Sequence, residues 1–283
     1  MNILVLGASG MLGNAMVRVL SQHEEWAVYG SLRSPNRVLQ ELAPCAQFLH
    51  SIDANLPDSL VEAFALSRPD VVINCVGLVK QLANSEDPLE AIPINSMLPH
   101  RLAKLCELSQ ARLIHFSTDC VFSGAKGNYL ESDFPDARDV YGRSKLMGEV
   151  SYRHTISLRT SIIGHELGRD LGLVGWFLSQ QGCVKGYTDA LFSGLPTCEL
   201  ARVVRDYVIP NKDMHGLYHV AAAPISKHDL LHLVNREYGK ALLIEADDSV
   251  KINRSLDGSR FRDATGYVAP PWPDLITQMR VFH

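Results

Sequence analysis

The chain has 283 residues, 46 % of them hydrophobic and 20 % charged, with 27 Lys+Arg against 31 Asp+Glu for a formal net charge of −4. This is globular composition with ample apolar material for a core, which excludes disorder for the bulk of the chain, and the length fits one large domain or two lobes. No basic stripe marks a nucleic-acid partner, and no apolar run reaches the roughly 18 residues of a membrane span, since the longest strand-like stretch (71–79) already contains Asn74.

Met1-Asn2 leads straight into Ile3-Leu4-Val5-Leu6, without the charged segment and cleavage pattern of a secretory signal. Six scattered cysteines carry no CxxC pair or zinc-ribbon spacing, and the eleven histidines no HExxH. A cytoplasmic protein with reduced thiols and no structural metal is expected. Short β-branched or leucine-rich runs predict buried strands at 3–6, 26–29, 46–49, 71–75 and 112–116. Helical patterns fall between them at 11–22, 57–67 and 89–108. Pro57 marks the start of the second helix, while Pro93 and Pro99 predict a late start or a kink in the third. Strands separated by helices imply right-handed crossovers and a parallel sheet covered on both faces, with any ligand at the carboxyl ends of the strands. After about residue 160 glycines recur and the alternation weakens, which predicts a smaller lobe. A strand at 216–220 and a helix at 227–238 capped by Ser226 follow. Pro270-Pro271-Trp272-Pro273 reads as a rigid surface turn before a last short helix.

Immediately after the first strand stands Gly7-Ala8-Ser9-Gly10-Met11-Leu12-Gly13. Glycines here let the backbone turn tightly and approach a pyrophosphate, whose charge is stabilised by the free amides and dipole of a helix N-terminus. A glycine triplet alone is a weak signal. Its position at the first strand-to-helix junction makes Gly7, Ser9, Gly10, Met11, Leu12 and Gly13 the expected dinucleotide-binding turn. The fold class is then α/β, a Rossmann-type doubly wound parallel sheet with a smaller C-terminal substrate-binding lobe. Residues 1–160 are expected to form the dinucleotide-binding domain, with parts of about 195–235 returning to it and 161–283 mainly the lobe.

An NAD site places an Asp or Glu about 20 residues on, to hold the ribose 2′-hydroxyl. This chain has Tyr29-Gly30-Ser31-Leu32-Arg33-Ser34-Pro35 there, with no carboxylate. Arg33, supported by Ser31 and Arg37, can pair with a 2′-phosphate through charge-assisted hydrogen bonds, so NADPH is the expected cofactor. The alternative is a solvated surface arginine. Asp53 and Ala54, after the third strand, are candidates for the adenine edge, and an Asx turn before Pro57 is the other reading of Asp53.

The reaction class rests on Tyr141-Gly142-Arg143-Ser144-Lys145, the single YxxxK in the chain. Residues four apart share one face of a helix. A free phenol titrates near pH ~10, and an ammonium held close favours the phenolate and brings that value toward the working range. Upstream, Thr118 ends the fifth strand, where a hydroxyl can donate to a carbonyl oxygen as charge develops on it; an ordinary turn hydroxyl is the alternative.

These residues carry a resemblance. The GxxGxxG turn, Asn74-Cys75-Val76-Gly77, Ser117-Thr118-Asp119 and YxxxK resemble the extended short-chain dehydrogenase/reductase superfamily. Arg68-Pro69-Asp70, Ser117 to Phe122, Tyr141 to Glu149, Leu158-Arg159-Thr160-Ser161 and Gly216-Leu217-Tyr218-His219 are similar to the dTDP-4-dehydrorhamnose reductase family, over nearly the whole chain. The resemblance implies an NADP-dependent oxidoreductase that reduces a nucleotide-activated 4-keto-6-deoxysugar in polysaccharide or deoxysugar biosynthesis. By it Tyr141 gives a proton to the forming alkoxide, Lys145 tunes Tyr141 and binds the nicotinamide ribose, and Thr118 polarises the carbonyl. Cys75, Val76 and Gly77 join the cofactor-binding set, together with Tyr141 and Lys145. Asn95 is either a strut for the active-site backbone or an ordinary helical asparagine.

Cys120 departs from the family, which usually carries an aromatic residue there. In the epimerase-reductases that make GDP-fucose a cysteine near this point works with a histidine, and His165 lies in a comparable region, so an epimerase-reductase using Cys120 is one alternative. A 4,6-dehydratase is disfavoured, because those enzymes follow Thr-Asp with Glu. A second alternative is a non-catalytic NADP-binding subunit resembling the regulatory subunit of methionine adenosyltransferase. Lys80, Gln81, Cys120, Lys185 and Arg260, the last in the Arg254 to Arg260 stretch, are candidates for the nucleotide-sugar substrate or, equally, solvated or filling residues. A homodimer is the candidate assembly.

Overall fold

The computed structural model describes residues 1–78, 85–168 and 171–283. Its strands β1 (Asn2–Leu6), β2 (Ala27–Ser31), β3 (Gln47–Leu49), β4 (Val71–Asn74), β5 (Arg112–Thr118) and β6 (Thr155–Thr160) join Gly216–His219 in one seven-stranded sheet. In space the strands lie in the order Gly216–His219, β6, β5, β4, β1, β2, β3. β1 runs parallel to β2 and β4, β2 to β3, and β4 to β5. The order reverses between β1 and β4, which is the switch point of a doubly wound sheet, where ligands bind beyond the strand ends. Ile3, Leu4, Val5 and Leu6 are all fully buried. A strand covered on both faces reads as a continuous apolar run, and this is why these strands were visible in the sequence.

The helices are α1 (Met11–Leu20), α2 (Arg37–Leu42), α3 (Pro57–Ser67), α4 (Pro88–Ala91), α5 (Leu98–Ser109) and α6 (Val140–Met147). Helix α2 was not predicted. It has six residues and buries only Leu39, too few for a periodic pattern; its local signal is Asn36, whose side chain accepts from Leu39 N at 3.0 Å. Between α4 and α5 the chain forms a wider π-type turn over Ile92–Met97, closed by Leu98 N on Pro93 O, five residues back. Pro93 and Pro99 cannot donate, so the expected kink takes this form. Leu60, Ala63 and Phe64 of α3 and Leu98, Leu102 and Cys106 of α5 pack with Leu4, Val72 and Leu113 in one core cluster. Each fully buried leucine contributes about 2 kcal/mol.

The backbone divides into two compact units. One comprises Met1–Ser117, Arg138–Leu158 and Ala201–Leu217; the other comprises Thr118–Ala137, Arg159–Leu200 and Tyr218–His283. In the second unit Leu243–Asp247 pairs in parallel with Cys183–Tyr187, and a helix spans Lys227–Glu237 with Ser226 accepting from Asp229 N at 3.0 Å. The proline-rich segment is more than a surface turn. Trp272 is buried, begins the helix Trp272–Phe282, and donates from Nε1 to Ala223 O at 2.7 Å.

This second unit has a buried aromatic and cationic stack. Phe122 lies on Tyr129 with ring centroids 4.0 Å apart, and the Arg159 guanidinium sits 5.2 Å from the Phe122 centroid. His219 is fully buried; Nδ1 meets Tyr129 O at 3.0 Å and Nε2 meets Arg159 Nη1 at 3.3 Å. A carbonyl only accepts and a guanidinium only donates, so the ring is neutral with its proton on Nδ1. Burial, then Arg159, pushes its pKa down to about 4. The unfolded ring takes a proton near its ordinary 6.5 while the folded ring stays neutral, so stability present above pH 6.5 is lost as pH falls toward 4. The loss is about 3 kcal/mol. Urea unfolding at pH 7 and pH 4 should show this fall in the wild type and a fall smaller by about 2–3 kcal/mol in His219→Gln.

Candidate active site

Gly7 follows β1 with φ +77°, a left-handed conformation that favours glycine. A side chain there would also meet Val76 Cγ2 at 3.1 Å and the Cys75 carbonyl carbon at 3.2 Å, and a Cβ on Gly13 would overlap the Gly7 carbonyl oxygen. Gly10 is the N-cap of α1 and no side chain caps that helix. The amides of its first turn are therefore left for an anion, with the positive end of the helix dipole behind them. Ser9 and Gly10 are exposed, Met11 is half-buried, and Leu12 and Gly13 are buried. A cradle that a Cβ would fill, beside uncapped amides, fits a dinucleotide pyrophosphate.

Ser31 is engaged with the glycine turn. It is buried, its Oγ accepts from Gly7 N at 3.1 Å and its carbonyl accepts from Ala8 N at 3.2 Å, so it braces the glycine turn. Arg33 and Arg37 are exposed. Asp53 Oδ1 accepts from Asn55 N at 2.9 Å, the Asx-turn geometry, while Asp53 N donates to Ser59 Oγ at 2.8 Å. Ala54 is half-buried against the core.

Cys75, Val76 and Gly77 continue from β4. Asn74 Oδ1 accepts from Val76 N at 3.1 Å, and Asn74 Nδ2 meets His115 Nδ1 at 3.1 Å. His115 Nδ1 is thus an acceptor and the proton lies on Nε2, which is buried without a partner among the described residues. Burial, then the Lys145 charge, holds the ring neutral, well below the usual histidine range. Sequence reasoning missed this pair, because an asparagine and a histidine 41 residues apart leave no local signal.

Lys145 lies on α6, which is opened by Asp139 Oδ1 accepting from Gly142 N at 2.7 Å. Its side chain is buried and Nζ donates to Phe116 O at 2.7 Å. Burial pushes its pKa down to about 8, against the opposing pull of Glu149 and Cys75. A Cβ on Gly77 would stand 3.8 Å from Nζ, so the ammonium lies against the turn that follows β4. Tyr141, half-buried, is one helical turn before it. Ser144 Oγ donates to Tyr141 O at 2.9 Å and accepts from Asn95 Nδ2 at 3.1 Å, while Asn95 Oδ1 accepts from Leu78 N at 2.9 Å. Ser96 Oγ donates to Ser144 O at 2.8 Å, and a Cβ on Gly148 would overlap the Asn95 carbonyl oxygen. Of the two readings of Asn95, the geometry is that of a strut joining the turn after β4 to α6. Ser117 Oγ donates to Glu149 Oε1 at 2.7 Å, a further link that spacing alone did not reveal.

Thr118 caps the short turn Asp119–Val121, accepting from Cys120 N at 3.1 Å and donating to Asp119 Oδ1 at 3.1 Å. Burial pushes the Asp119 carboxyl up, opposed chiefly by Arg254. Arg254 donates from Nε to Phe122 O at 2.8 Å and from Nη1 to Cys120 Sγ at 3.8 Å. His165 Nε2 meets Tyr238 OH at 2.7 Å, and its ring centroid is 3.8 Å from that of His283. The two residues named for an epimerase are thus engaged by different neighbours. Lys185 pairs with Asp247 at 3.1 Å, and the Arg260 guanidinium lies 4.7 Å from the Tyr218 centroid. Lys80 and Gln81 lie outside the described residues. Among the described residues no group of three or more His, Cys, Asp and Glu could hold a metal ion, and no helix is long and apolar enough to cross a membrane.

The family model described as RmlD substrate binding domain matches residues 1–261. The chain is 34 % identical over 181 residues to the "Probable low-salt glycan biosynthesis reductase Agl14" of Haloferax volcanii, which covers 62 % of this chain and 58 % of that protein. It is 30 % identical over 151 residues to methionine adenosyltransferase 2 subunit beta of Xenopus tropicalis, covering 53 % of this chain and 42 % of that one. The chain spans about half the length of these curated relatives. Among solved structures, a hypothetical dTDP-4-dehydrorhamnose reductase from Sulfolobus tokodaii superposes with a TM-score of 0.78 at 25 % identity, over 96 % of this chain and 98 % of that chain. With the parallel sheet, the glycine cradle and the Tyr141–Lys145 helix in place, the chain belongs to the RmlD family of extended short-chain dehydrogenase/reductases.

Proposed function

We propose that this chain is an NADPH-dependent reductase of a nucleotide-activated 4-keto-6-deoxysugar, serving polysaccharide or deoxysugar biosynthesis. The observation that carries the proposal is the buried ammonium of Lys145, bonded to Phe116 O at 2.7 Å and four residues after Tyr141 on one helix. A buried cation is costly, and its retention beside a phenol matches a proton-transfer site better than a packing role.

In this reading the turn from Ser9 to Gly13 holds the pyrophosphate, with the amides of Met11, Leu12 and Gly13 facing it, Arg33 and Arg37 hold the 2′-phosphate, and Asp53 and Ala54 border the adenine. Cys75, Val76 and Gly77 with Lys145 receive the nicotinamide end. When bound, the cofactor supplies the hydride that reduces the ketone carbon. Tyr141 donates its phenolic proton to the oxygen, converting ketone to alcohol. Lys145, as an ammonium, stabilises the phenolate left behind and so lowers the cost of that transfer. Thr118 donates to the same carbonyl oxygen once its hydroxyl turns from Asp119. Reduction without epimerisation is the reading adopted, since His165 is bonded to Tyr238.

A second reading, a non-catalytic NADP-binding subunit, is supported by the likeness to methionine adenosyltransferase 2 subunit beta. NADPH oxidation with dTDP- and UDP-linked 4-keto-6-deoxysugars separates the two. Tyr141→Phe should lower kcat by about 10²–10⁴ while NADPH affinity changes little. Equal turnover in both forms, or none in either despite tight NADPH binding, overturns the enzyme reading.

Two further outcomes follow from the charges. Lys145 loses its proton as pH rises through about 8, and the support of Tyr141 goes with it. The rate of reduction should therefore fall above pH 8 with an apparent value belonging to the Tyr141–Lys145 pair, and the fall should move to higher pH in Lys145→Arg. Arg33→Ala should raise the Kd for NADPH about tenfold or more and leave NADH almost unchanged, as measured by fluorescence titration. An unchanged preference removes Arg33 from the 2′-phosphate.

A further inference from the structure

His228 and His232 lie one turn apart on the helix Lys227–Glu237, and no part of the proposed reaction uses them. Their Nε2 atoms are 3.2 Å apart, with ring centroids at 4.5 Å and planes 67° from each other, so two nitrogen edges converge rather than stack. On its other side His228 Nδ1 lies 3.0 Å from Asp229 Oδ1. An ionised carboxylate only accepts, so Nδ1 carries the proton and Nε2 presents a lone pair. His232 then donates from its Nε2 into that lone pair.

We propose that this pair is a two-histidine chelate for a borderline divalent transition metal such as Ni²⁺ or Zn²⁺. Two nitrogens that each sit about 2.0–2.1 Å from one ion lie about 3.0–3.4 Å apart, between the octahedral and tetrahedral angles. The observed 3.2 Å is within that bite, so the ion takes the place of the shared proton with little movement of either ring. Asp229 supplies the outer carboxylate that fixes the ligand's tautomer and raises its basicity. Gly186 beneath the helix leaves room for the His228 ring, since a Cβ there would stand 3.1 Å from His228 Cδ2. His232 is exposed and His228 half-buried, so the ion reaches them from solvent, and water completes its coordination. Imidazole selects Zn²⁺, Ni²⁺ or Cu²⁺ over the oxygen-seeking Mg²⁺ and Ca²⁺. Bound across one turn, the ion ties the start of this helix.

The test is calorimetric titration of the full chain, without a histidine tag, with NiCl₂, ZnCl₂ and MgCl₂. Cys45 and Cys183 are exposed thiols, so the background carries Cys45→Ser and Cys183→Ser. One-to-one binding of Ni²⁺ and Zn²⁺ at micromolar concentrations is expected, with no heat from Mg²⁺. His228→Gln and His232→Ala should each weaken it about tenfold or more, and Asp229→Asn should weaken it by a smaller factor. In parallel, Ni²⁺ should raise the Tm of the background protein and of neither histidine variant. Binding that survives either histidine substitution, equal binding of Mg²⁺, or no saturable binding at millimolar Ni²⁺ overturns the proposal.

Discussion

The ammonium of Lys145 is the constraint around which this half of the molecule is arranged. A buried cation loses hydration worth several kcal/mol, and only a well-placed acceptor offsets that loss. Phe116 O, within β5, is that acceptor, so this part of β5 must lie where the Lys145 side chain of α6 reaches it. Gly77 lies within van der Waals reach of Nζ, and Gly148 lets α6 close on the Asn95 carbonyl. Asn95 then ties the turn after β4 to Ser144, and Ser144 holds Tyr141 O. The turn after β4 and the backbone of α6 are thus joined through Asn95 and Ser144, while Phe116 O holds the ammonium, and breaking these bonds leaves buried polar groups unpaired.

A related logic governs the glycine turn. Parallel strands β1 and β4 bring Gly7 against Cys75 and Val76, and Ser31 at the end of β2 holds the Gly7 amide. Asn74 keeps the Val76 amide, and its own amide is oriented by His115. Nε2 of His115, without a partner among the described residues, is the cost of that arrangement, kept tolerable because the ring is neutral.

Much of the fold was legible in the sequence because strands covered on both faces are written as unbroken apolar runs, as in 3–6 and 71–73. Helix α2 was not, since six residues burying one leucine carry no period. The prolines at 93 and 99 announced a disturbance, but its form as a π-type turn depends on where Asn95 finds partners, 17 and 49 residues away. The charged candidates were the least legible. Lys185, Arg260 and the Asp53 carboxylate each have a neighbour in place, with Asp247, the Tyr218 ring and Asn55 N respectively. A sequence lists charges without showing which of them are already engaged.

By itself the sequence determined what depends on spacing along the chain: the GxxGxxG turn, the Tyr141 and Lys145 pair on one helical face, the Ser226 cap, and a parallel α/β sheet. These are set by backbone conformation over a few residues, where periodicity is a direct physical cause. Only the tertiary structure decided which carbonyl receives Lys145, that Ser31 braces the glycine turn, and that His115 is neutral. It also decided that His219 accepts from Arg159. These depend on burial and on partners distant in sequence, and desolvation acts on a group only once the whole fold has closed around it.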